Sequence, residues 1–218
     1  HHPGARPCWE VEVMLLLFDT ETSGLYRDDL PVTAPEQPHM VQLGAQLFDS
    51  QFRRRANMTV LIKPEGWSIE PQAEAVHGIS AHMCHRAGIS LAEALIPLRG
   101  LVNAATRVVG HHVQFDRKVI AASCHRAGGE GLWWSRINHK FLCTMETATE
   151  VCALPSEFGL KFPSLEEAVA ILCPGADLPV RHDAESDIAA TLAVYRALLD
   201  RGIIEEADPF ARAGESNA

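Results

Sequence analysis

The sequence predicts a single α/β domain in which helices flank both sides of a mixed sheet. Three observations support this prediction. The chain has 218 residues, of which 47% are hydrophobic, which suits one well-packed core and is too little for two. The first part carries three strand-like segments joined by short connections. The second part alternates helix-like with strand-like segments, as expected when helices cover a sheet.

The first three predicted strands differ in their hydrophobic pattern. Residues 15–24, LLLFDTETSG, begin as an unbroken apolar run, which is typical of a strand buried on both faces. Residues 39–49 and 56–64 alternate apolar with polar side chains, as strands with one buried face do. Because short segments join the three, we expect them to be antiparallel neighbours.

The rest of the chain carries mainly helix signals. Two capping-box patterns, each a serine followed three residues later by a glutamate, open predicted helices at Ser90 and Ser164. The remaining predicted elements are strands at 107–113 and 141–145, a helix at 114–128, and a last helix from Asp183 to Gly202.

Composition excludes some classes of function. The formal net charge of −9 argues against a protein that coats duplex DNA electrostatically. It leaves room for an enzyme that contacts a few phosphates through metal ions, because the ions reverse the local sign of charge. No apolar run approaches the roughly 20 residues that a membrane span needs, so we expect no membrane association.

The six cysteines lack any C-x-x-C pair, which indicates reduced thiols in a cytoplasmic protein. Two Cys-His pairs, Cys84-His85 and Cys124-His125, with His82 close to the first pair, offer a zinc hypothesis. The pairs do not have the regular spacing of zinc ligands, and the sequence therefore favours reduced thiols over a zinc site.

The chain ends are predicted to lie outside the folded domain. Residues 1–13 begin with two histidines, like the end of a purification tag, and Met14 stands directly before the first strand. The hypothesis is that Met14 is the natural start. The domain is then expected over 14–204, with a frayed tail at 205–218.

Two acidic residues interrupt the first strand, Asp19 and Glu21. Side chains two apart lie on the same face of a strand. Two like charges there are costly unless a cation lies between them or one takes up a proton. The alternative is that Asp19 only caps a turn.

Further acidic residues occur in predicted helix starts. Asp116 and Asp187 each fall in a first turn, and His182 lies five residues before Asp187. Acidic residues are favoured in a first turn by the helix dipole, so each one alone has a purely structural explanation.

Taken together, these motifs resemble the DEDDh family of 3′→5′ exonucleases. Asp-x-Glu ends the first strand, Phe-Asp opens a helix, and His-x-Ala-x-x-Asp lies near the C-terminus. The segments DTETSGL and PQAEAVHGIS agree. The family includes the proofreading subunit of bacterial replicative DNA polymerase, RNase T and oligoribonuclease.

The resemblance implies a ribonuclease-H-like fold, with a five-stranded mixed sheet whose first three strands are antiparallel. It also implies site residues. The carboxylates Asp19, Glu21, Asp116 and Asp187 would bind two Mg²⁺ or Mn²⁺ ions, with His182 as the general base. Three residues match positions that contact the terminal nucleotide: Thr22, Leu25 and His77.

Two positions depart from the family pattern. Gln72 stands where the proofreading relative has a glutamate that helps to bind substrate, and His112 stands where the family often has asparagine. Neither belongs to the five central residues. The departures therefore bear on nucleotide preference and rate.

The function implied is metal-dependent hydrolysis of single-stranded 3′ ends to nucleoside monophosphates, with DNA favoured. One alternative is an exoribonuclease acting on RNA ends or short oligoribonucleotides, and another is an exonuclease-like binding module without activity. Single-stranded 3′ ends are the expected partners, and a DNA polymerase or repair complex is a further candidate. The pair Trp133-Trp134 offers base stacking or, alternatively, core packing.

Overall fold

The computed structural model describes residues 13–128, 134, 137, 140–178 and 180–205. Apart from Val13 and Glu205, the predicted leader at 1–13 and the predicted tail at 205–218 lie outside the described residues, and so does Trp133. The domain boundaries therefore stay predictions.

The described strands and helices follow one another along the chain in a fixed order. The first half contains β1 (Met14–Thr22), β2 (Met40–Asp49), β3 (Arg54–Leu61), α1 (Pro71–His77), α2 (Ala81–Ala87) and α3 (Leu91–Ala104). The second half contains β4 (Arg107–Gly110), α4 (Val113–Arg126), β5 (Phe141–Cys143), α5 (Thr144–Cys152), β6 (Pro155–Ser156), β7 (Gly159–Leu160), α6 (Leu165–Leu172) and α7 (Ala184–Asp200).

A five-stranded mixed sheet forms the centre of the fold. Its strand order is β3-β2-β1-β4-β5. The pairs β1–β2 and β2–β3 are antiparallel, whereas β1–β4 and β4–β5 are parallel. The predicted fold class, including the three antiparallel strands, is confirmed.

Both faces of β1 are buried, as its unbroken apolar run predicted. Leu16 and Phe18 pack into the core cluster that contains residues of α3 and α4. Leu15 and Leu17 point the other way and pack against Ile188 of α7. Any side chain further along β1 is therefore directed either to the α3–α4 face or to the α7 face.

The capping boxes are confirmed, but two predicted strands are too long. Ser90 and Ser164 each make the reciprocal bonds with a glutamate three residues later. The strand predicted at 107–113 ends at Gly110, because His112 has a φ of 62° and begins the turn into α4. The strand predicted at 141–145 ends at Cys143, where α5 begins at once. Sequence analysis did not predict α1, α2, α5 or the β6–β7 ribbon.

Trp134 belongs to the core. It is 3% exposed, and its ring meets those of Phe18 and Phe141 edge-on, with centroids 5.5 and 5.2 Å apart. Of its two predicted roles, packing is the one that this position fits.

Among the described helices, none combines the length and apolar character that a membrane crossing requires.

Candidate active site

Asp19 and Glu21 lie on the α7 face of β1, at its C-terminal end. Their register partners on β2 are Gly44 and Gln42. The two carboxylates share a face because of the strand alternation that the sequence predicted.

Helix α7 brings Asp187 to these carboxylates, and β2 determines how closely the helix approaches. A Cβ atom on Gly44 would lie 2.7 Å from the Cβ of Ala184, so the first turn of α7 packs directly over the bare backbone of β2. The backbone N–H of Ala184 donates to Gln42 Oε1 at 2.9 Å. Ligand atoms of Asp19, Glu21 and Asp187 all lie within 4.8 Å of one another.

Asp116 is held against β1 by helix α4. It lies in the first turn of α4 and is 3% exposed. Its Oδ1 accepts hydrogen bonds from the backbone N–H of Thr20 at 2.9 Å and from the Thr20 hydroxyl at 2.7 Å. Thr20 is the residue between Asp19 and Glu21, and Asp116 is therefore fixed against the same stretch of strand.

The four carboxylates disfavour one another's ionisation. Burial, followed by the charges of Asp116 and Glu21, raises the pKa of Asp19 well above its ordinary value. Burial and the charge of Asp187 raise the pKa of Glu21 to about 8. Burial likewise raises the pKa of Asp116 to about 7, against the hydrogen bonds from Thr20, and the pKa of Asp187 also rises through burial.

This donor set fits a hard divalent cation. Carboxylate oxygens are the ligands that Mg²⁺ and Mn²⁺ prefer, and a cation would offset the repulsion that raises these pKa values. Asp19, Glu21 and Asp187 are the one group among the described residues whose ligand atoms converge in this way. The two Cys-His pairs, which the structure also describes, form no such group.

His182 lies beside the carboxylates and is half-exposed. Its Nδ1 is 4.0 Å from Asp187 Oδ2, and its Nε2 is 3.6 Å from Oε1 of Glu166 in the first turn of α6. Its backbone is left-handed, with a φ of 51°. The predicted general base is thus adjacent to the cluster, in contact with an acidic neighbour that sequence reasoning missed.

Two predicted nucleotide contacts, Thr22 and His77, are buried beside each other. The Thr22 hydroxyl donates to the carbonyl of Gly24 at 2.8 Å. Nδ1 of His77 accepts from the backbone N–H of Ile79 at 3.0 Å, and its Nε2 has no hydrogen-bond partner among the described residues. Burial lowers the pKa of His77, and the backbone of Thr22 opposes that effect.

The other two predicted contacts are at the surface. Leu25 is 85% exposed, and Gln72 is exposed in the first turn of α1. A largely exposed leucine beside buried polar groups is available to a ligand. The nucleotide roles of all four residues, like the roles of the five central ones, stay predictions.

Comparison with known proteins places the chain in a family. The family model RNase_T, described as Exonuclease, matches residues 16–195. The chain belongs to this exonuclease family. The predicted resemblance to the DEDDh 3′→5′ exonucleases is thereby confirmed.

Solved structures of exonuclease I from two bacteria share the fold. Escherichia coli exonuclease I in complex with a dT13 oligonucleotide is 22% identical, with a TM-score of 0.68 over 85% of this chain and 41% of that one. Exonuclease I from Methylocaldum szegediense is 21% identical, with a TM-score of 0.69 over 87% and 41%. This exonuclease-family chain thus spans about two-fifths of the length of those proteins. No curated protein matches its sequence.

Proposed function

We propose that the chain is a metal-dependent 3′→5′ exonuclease that releases nucleoside monophosphates from single-stranded ends. The observation that supports this most is the convergence of Asp19, Glu21 and Asp187, whose ligand atoms lie within 4.8 Å of one another. Carboxylates that repel one another and are withdrawn from water are costly to a fold, and a bound cation would offset that cost. Membership of the exonuclease family supports the same activity.

Asp19, Glu21, Asp116 and Asp187 would hold two Mg²⁺ or Mn²⁺ ions. Such ions, when bound, stabilise the charge on the attacking and leaving oxygens of a phosphodiester. Thr20 keeps Asp116 in place through two hydrogen bonds. This bond pair fixes the orientation of a carboxylate that would otherwise be free to rotate.

His182 would accept the proton of the attacking water. It is half-exposed and adjacent to Asp187, so it can reach water at the edge of the cluster. Oε1 of Glu166 lies 3.6 Å from its second ring nitrogen, on the side of the ring away from Asp187. Four residues are proposed to hold the terminal nucleotide: Thr22, Leu25, Gln72 and His77.

DNA is the substrate that we favour, with RNA as the alternative. Structures of Escherichia coli exonuclease I contain dT13 and dA16 oligonucleotides, and the shared fold supports DNA as the proposed substrate here. A module without activity would gain nothing from clustered acidic groups. We expect single-stranded 3′ ends as partners, and a polymerase or repair complex and a cytoplasmic location stay predictions.

The test is hydrolysis of 5′-labelled single strands of DNA and RNA, with duplexes for comparison. In Mg²⁺ or Mn²⁺ we expect a ladder of products, which excess EDTA abolishes and a 3′-phosphate blocks. Asp19→Asn should remove activity, whereas Asp200→Asn, an exposed change at the end of α7, should not. Full activity in EDTA, or cleavage of closed circles at a comparable rate, would contradict the proposal.

A further inference from the structure

A cavity of about 650 Å³ opens on the α3–α4 face of the sheet, and none of the four carboxylates lines it. Its walls come from four segments: the chain before β2, the chain after β3, the start of α3 and the end of α4. Its volume is within the range of small-molecule sites, about 300–1,000 Å³.

One wall of this cavity is an aromatic stack. The rings of His39 and Trp67 are 4.8 Å apart and 7° from parallel. Burial and the charge of Arg126 lower the pKa of His39 to about 4, so the imidazole is neutral near pH 7. Met40, Ile62 and Leu91 add apolar lining. A planar, uncharged ring would pack well against these groups.

The rest of the wall carries positive charge and a buried hydroxyl. Lys63 and Arg126 line the cavity together with one acid, Glu65. The guanidinium of Arg126 is oriented by bonds to the carbonyls of Pro38 and Gln37, at 2.8 and 2.5 Å.

Ser123 supplies the hydroxyl. It lines the same cavity and is 1% exposed, and its Oγ has no hydrogen-bond partner among the described residues. A buried hydroxyl without a partner is costly, and a ligand oxygen would satisfy it.

The cavity is also connected to residues 22–25, which carry the predicted nucleotide contacts Thr22 and Leu25. The backbone N–H of His39 donates to Ser23 Oγ at 2.8 Å, and the N–H of Ser23 donates to the His39 carbonyl at 2.8 Å. Met40 is the register partner of Thr22. The chain at His39, which forms part of the aromatic wall, is thus hydrogen-bonded to the chain beside Thr22, one of the proposed nucleotide contacts.

We propose that this cavity binds a nucleotide other than the one being cleaved, with its base near the His39–Trp67 stack. Its phosphate would meet Lys63 and Arg126, and the Ser123 hydroxyl would donate to it. The lining itself calls for a planar ring that carries an anionic group, and the choice of a nucleotide rests on the proposed function. The nucleotide has two sources, a free nucleoside monophosphate or an internal residue of a bound strand.

The experiment measures binding by calorimetry in EDTA, where no hydrolysis is expected because the divalent ions are removed. The ligands are dTMP, a dinucleotide and a longer single strand, the last two with 3′-phosphates. Lys63→Glu should weaken binding at least about tenfold, as expected for the loss of a charge-assisted contact. The control is Arg99→Glu, which makes the same charge change on an exposed part of α3 and should change affinity less than about twofold.

Ser123→Ala gives a second and sharper result. Because the hydroxyl has no hydrogen-bond partner among the described residues, its removal should not lower the free energy of unfolding, yet it should weaken nucleotide binding several-fold. Loss of dTMP affinity in both variants identifies free nucleotide as the ligand, whereas loss for the longer strand alone identifies an internal residue. Affinities equal to those of Arg99→Glu for every ligand would overturn the proposal.

These results are separable from the proposed function. If the protein hydrolyses single strands but neither variant binds differently, only the cavity proposal fails. If the protein does not hydrolyse them but Lys63→Glu and Ser123→Ala lose nucleotide affinity, the cavity proposal stands without the exonuclease activity.

Discussion

Thr20 donates two hydrogen bonds to one oxygen of Asp116, from its backbone N–H at 2.9 Å and from its hydroxyl at 2.7 Å. This contact ties β1 to the first turn of α4. Asp19 and Glu21 point to the opposite face of the strand. The position between two candidate ligands is therefore occupied by a residue that orients a third.

Thr20→Val should lower both stability and activity. Valine keeps the shape of threonine and leaves the backbone bond intact, but the buried carboxylate loses one donor. Hydrogen bonds to charged groups contribute about 1.5–3 kcal/mol, and we expect a loss of that size in the free energy of unfolding at pH 8. Urea denaturation measures it. Thr59→Val, on the exposed side of β3, should stay within about 0.5 kcal/mol, and equal losses in both variants would contradict the assignment.

Gly44→Ala should separate α7 from the sheet. The added Cβ would lie 2.7 Å from the Cβ of Ala184 and 2.9 Å from Cδ1 of Ile188. Overpacking of this kind costs about 1–3 kcal/mol, and movement of the first turn of α7 would carry Asp187 away from Asp19. We expect reduced stability by urea denaturation and weaker Mn²⁺ binding by calorimetry.

The matched control for that variant is Gly100→Ala. Gly100 lies inside α3, and a Cβ there would meet no atom within 4 Å. Alanine favours helix over glycine by about 0.8–1.0 kcal/mol, so this substitution should stabilise the protein and leave metal binding unchanged. Stabilisation by Gly44→Ala as well would show that α7 is not held against β2 as tightly as the geometry implies.

The sequence predicted the elements whose patterns are local. The apolar run that begins at Leu15 and the capping boxes at Ser90 and Ser164 depend only on neighbouring residues. The run lies in a buried strand, and each capping box opens a helix, as predicted. The helices α1 and α2 were missed because each has seven residues and buries one of them, His77 or Cys84. Such helices show no apolar periodicity.

Other misses depended on contacts that sequence alone cannot show. Helix α5 begins with threonines, which favour strands, yet the hydroxyls of Thr147 and Thr149 bond to carbonyls four residues earlier and leave the helix intact. The carboxylates of the candidate site were predicted from motifs. Thr20 orients Asp116, Gly44 lets α7 approach β2, and Glu166 contacts His182, each from a distant part of the sequence. Of these three residues only Gly44 left a signal, as a glycine inside a strand.

The metal-free protein should lose stability as the pH rises from about 6.5 to about 8. Burial and neighbouring carboxylates raise the pKa of Glu21 to about 8 and burial raises that of Asp116 to about 7. A group whose pKa is raised by folding stabilises the fold fully below its unfolded pKa, and this contribution disappears as the pH climbs to the folded value. Below about 6.5 the partly buried His39, whose pKa is lowered, acts in the opposite direction.

Thermal unfolding in EDTA measures this dependence, and Asp19→Asn isolates its cause. Removing one charge should make the variant more stable than the wild type at pH 8. Its Tm should rise by about 2–4 °C for each kcal/mol of repulsion that the substitution removes. Asp200→Asn, at an exposed position, should follow the wild type. Added Mn²⁺ should raise the wild-type Tm most at pH 8. A Tm that is independent of pH in both proteins would rule out repulsion among these groups.

His182 is the residue whose substitution best separates proton transfer from metal binding. Its Nδ1 is 4.0 Å from Asp187 Oδ2, at the exposed edge of the cluster. His182→Ala should therefore lower kcat by about 10²–10⁴-fold, the usual contribution of general acid–base catalysis. Mn²⁺ affinity by calorimetry should change little. Asp187→Ala should instead lose metal affinity together with rate, because that carboxylate is a candidate ligand.

Two other histidines complete this test. Both ring nitrogens of His111 are engaged, at 3.0 Å from Thr144 Oγ1 and 3.0 Å from the Pro163 carbonyl, so His111→Ala should lower the free energy of unfolding as well as the rate. His85→Ala, at an exposed position in α2, should leave both unchanged. Because His111 is occupied in this way, near-normal kcat in His182→Ala at saturating Mn²⁺ would move the base to a group outside these three histidines, and the exposed His112 would be the next residue to replace.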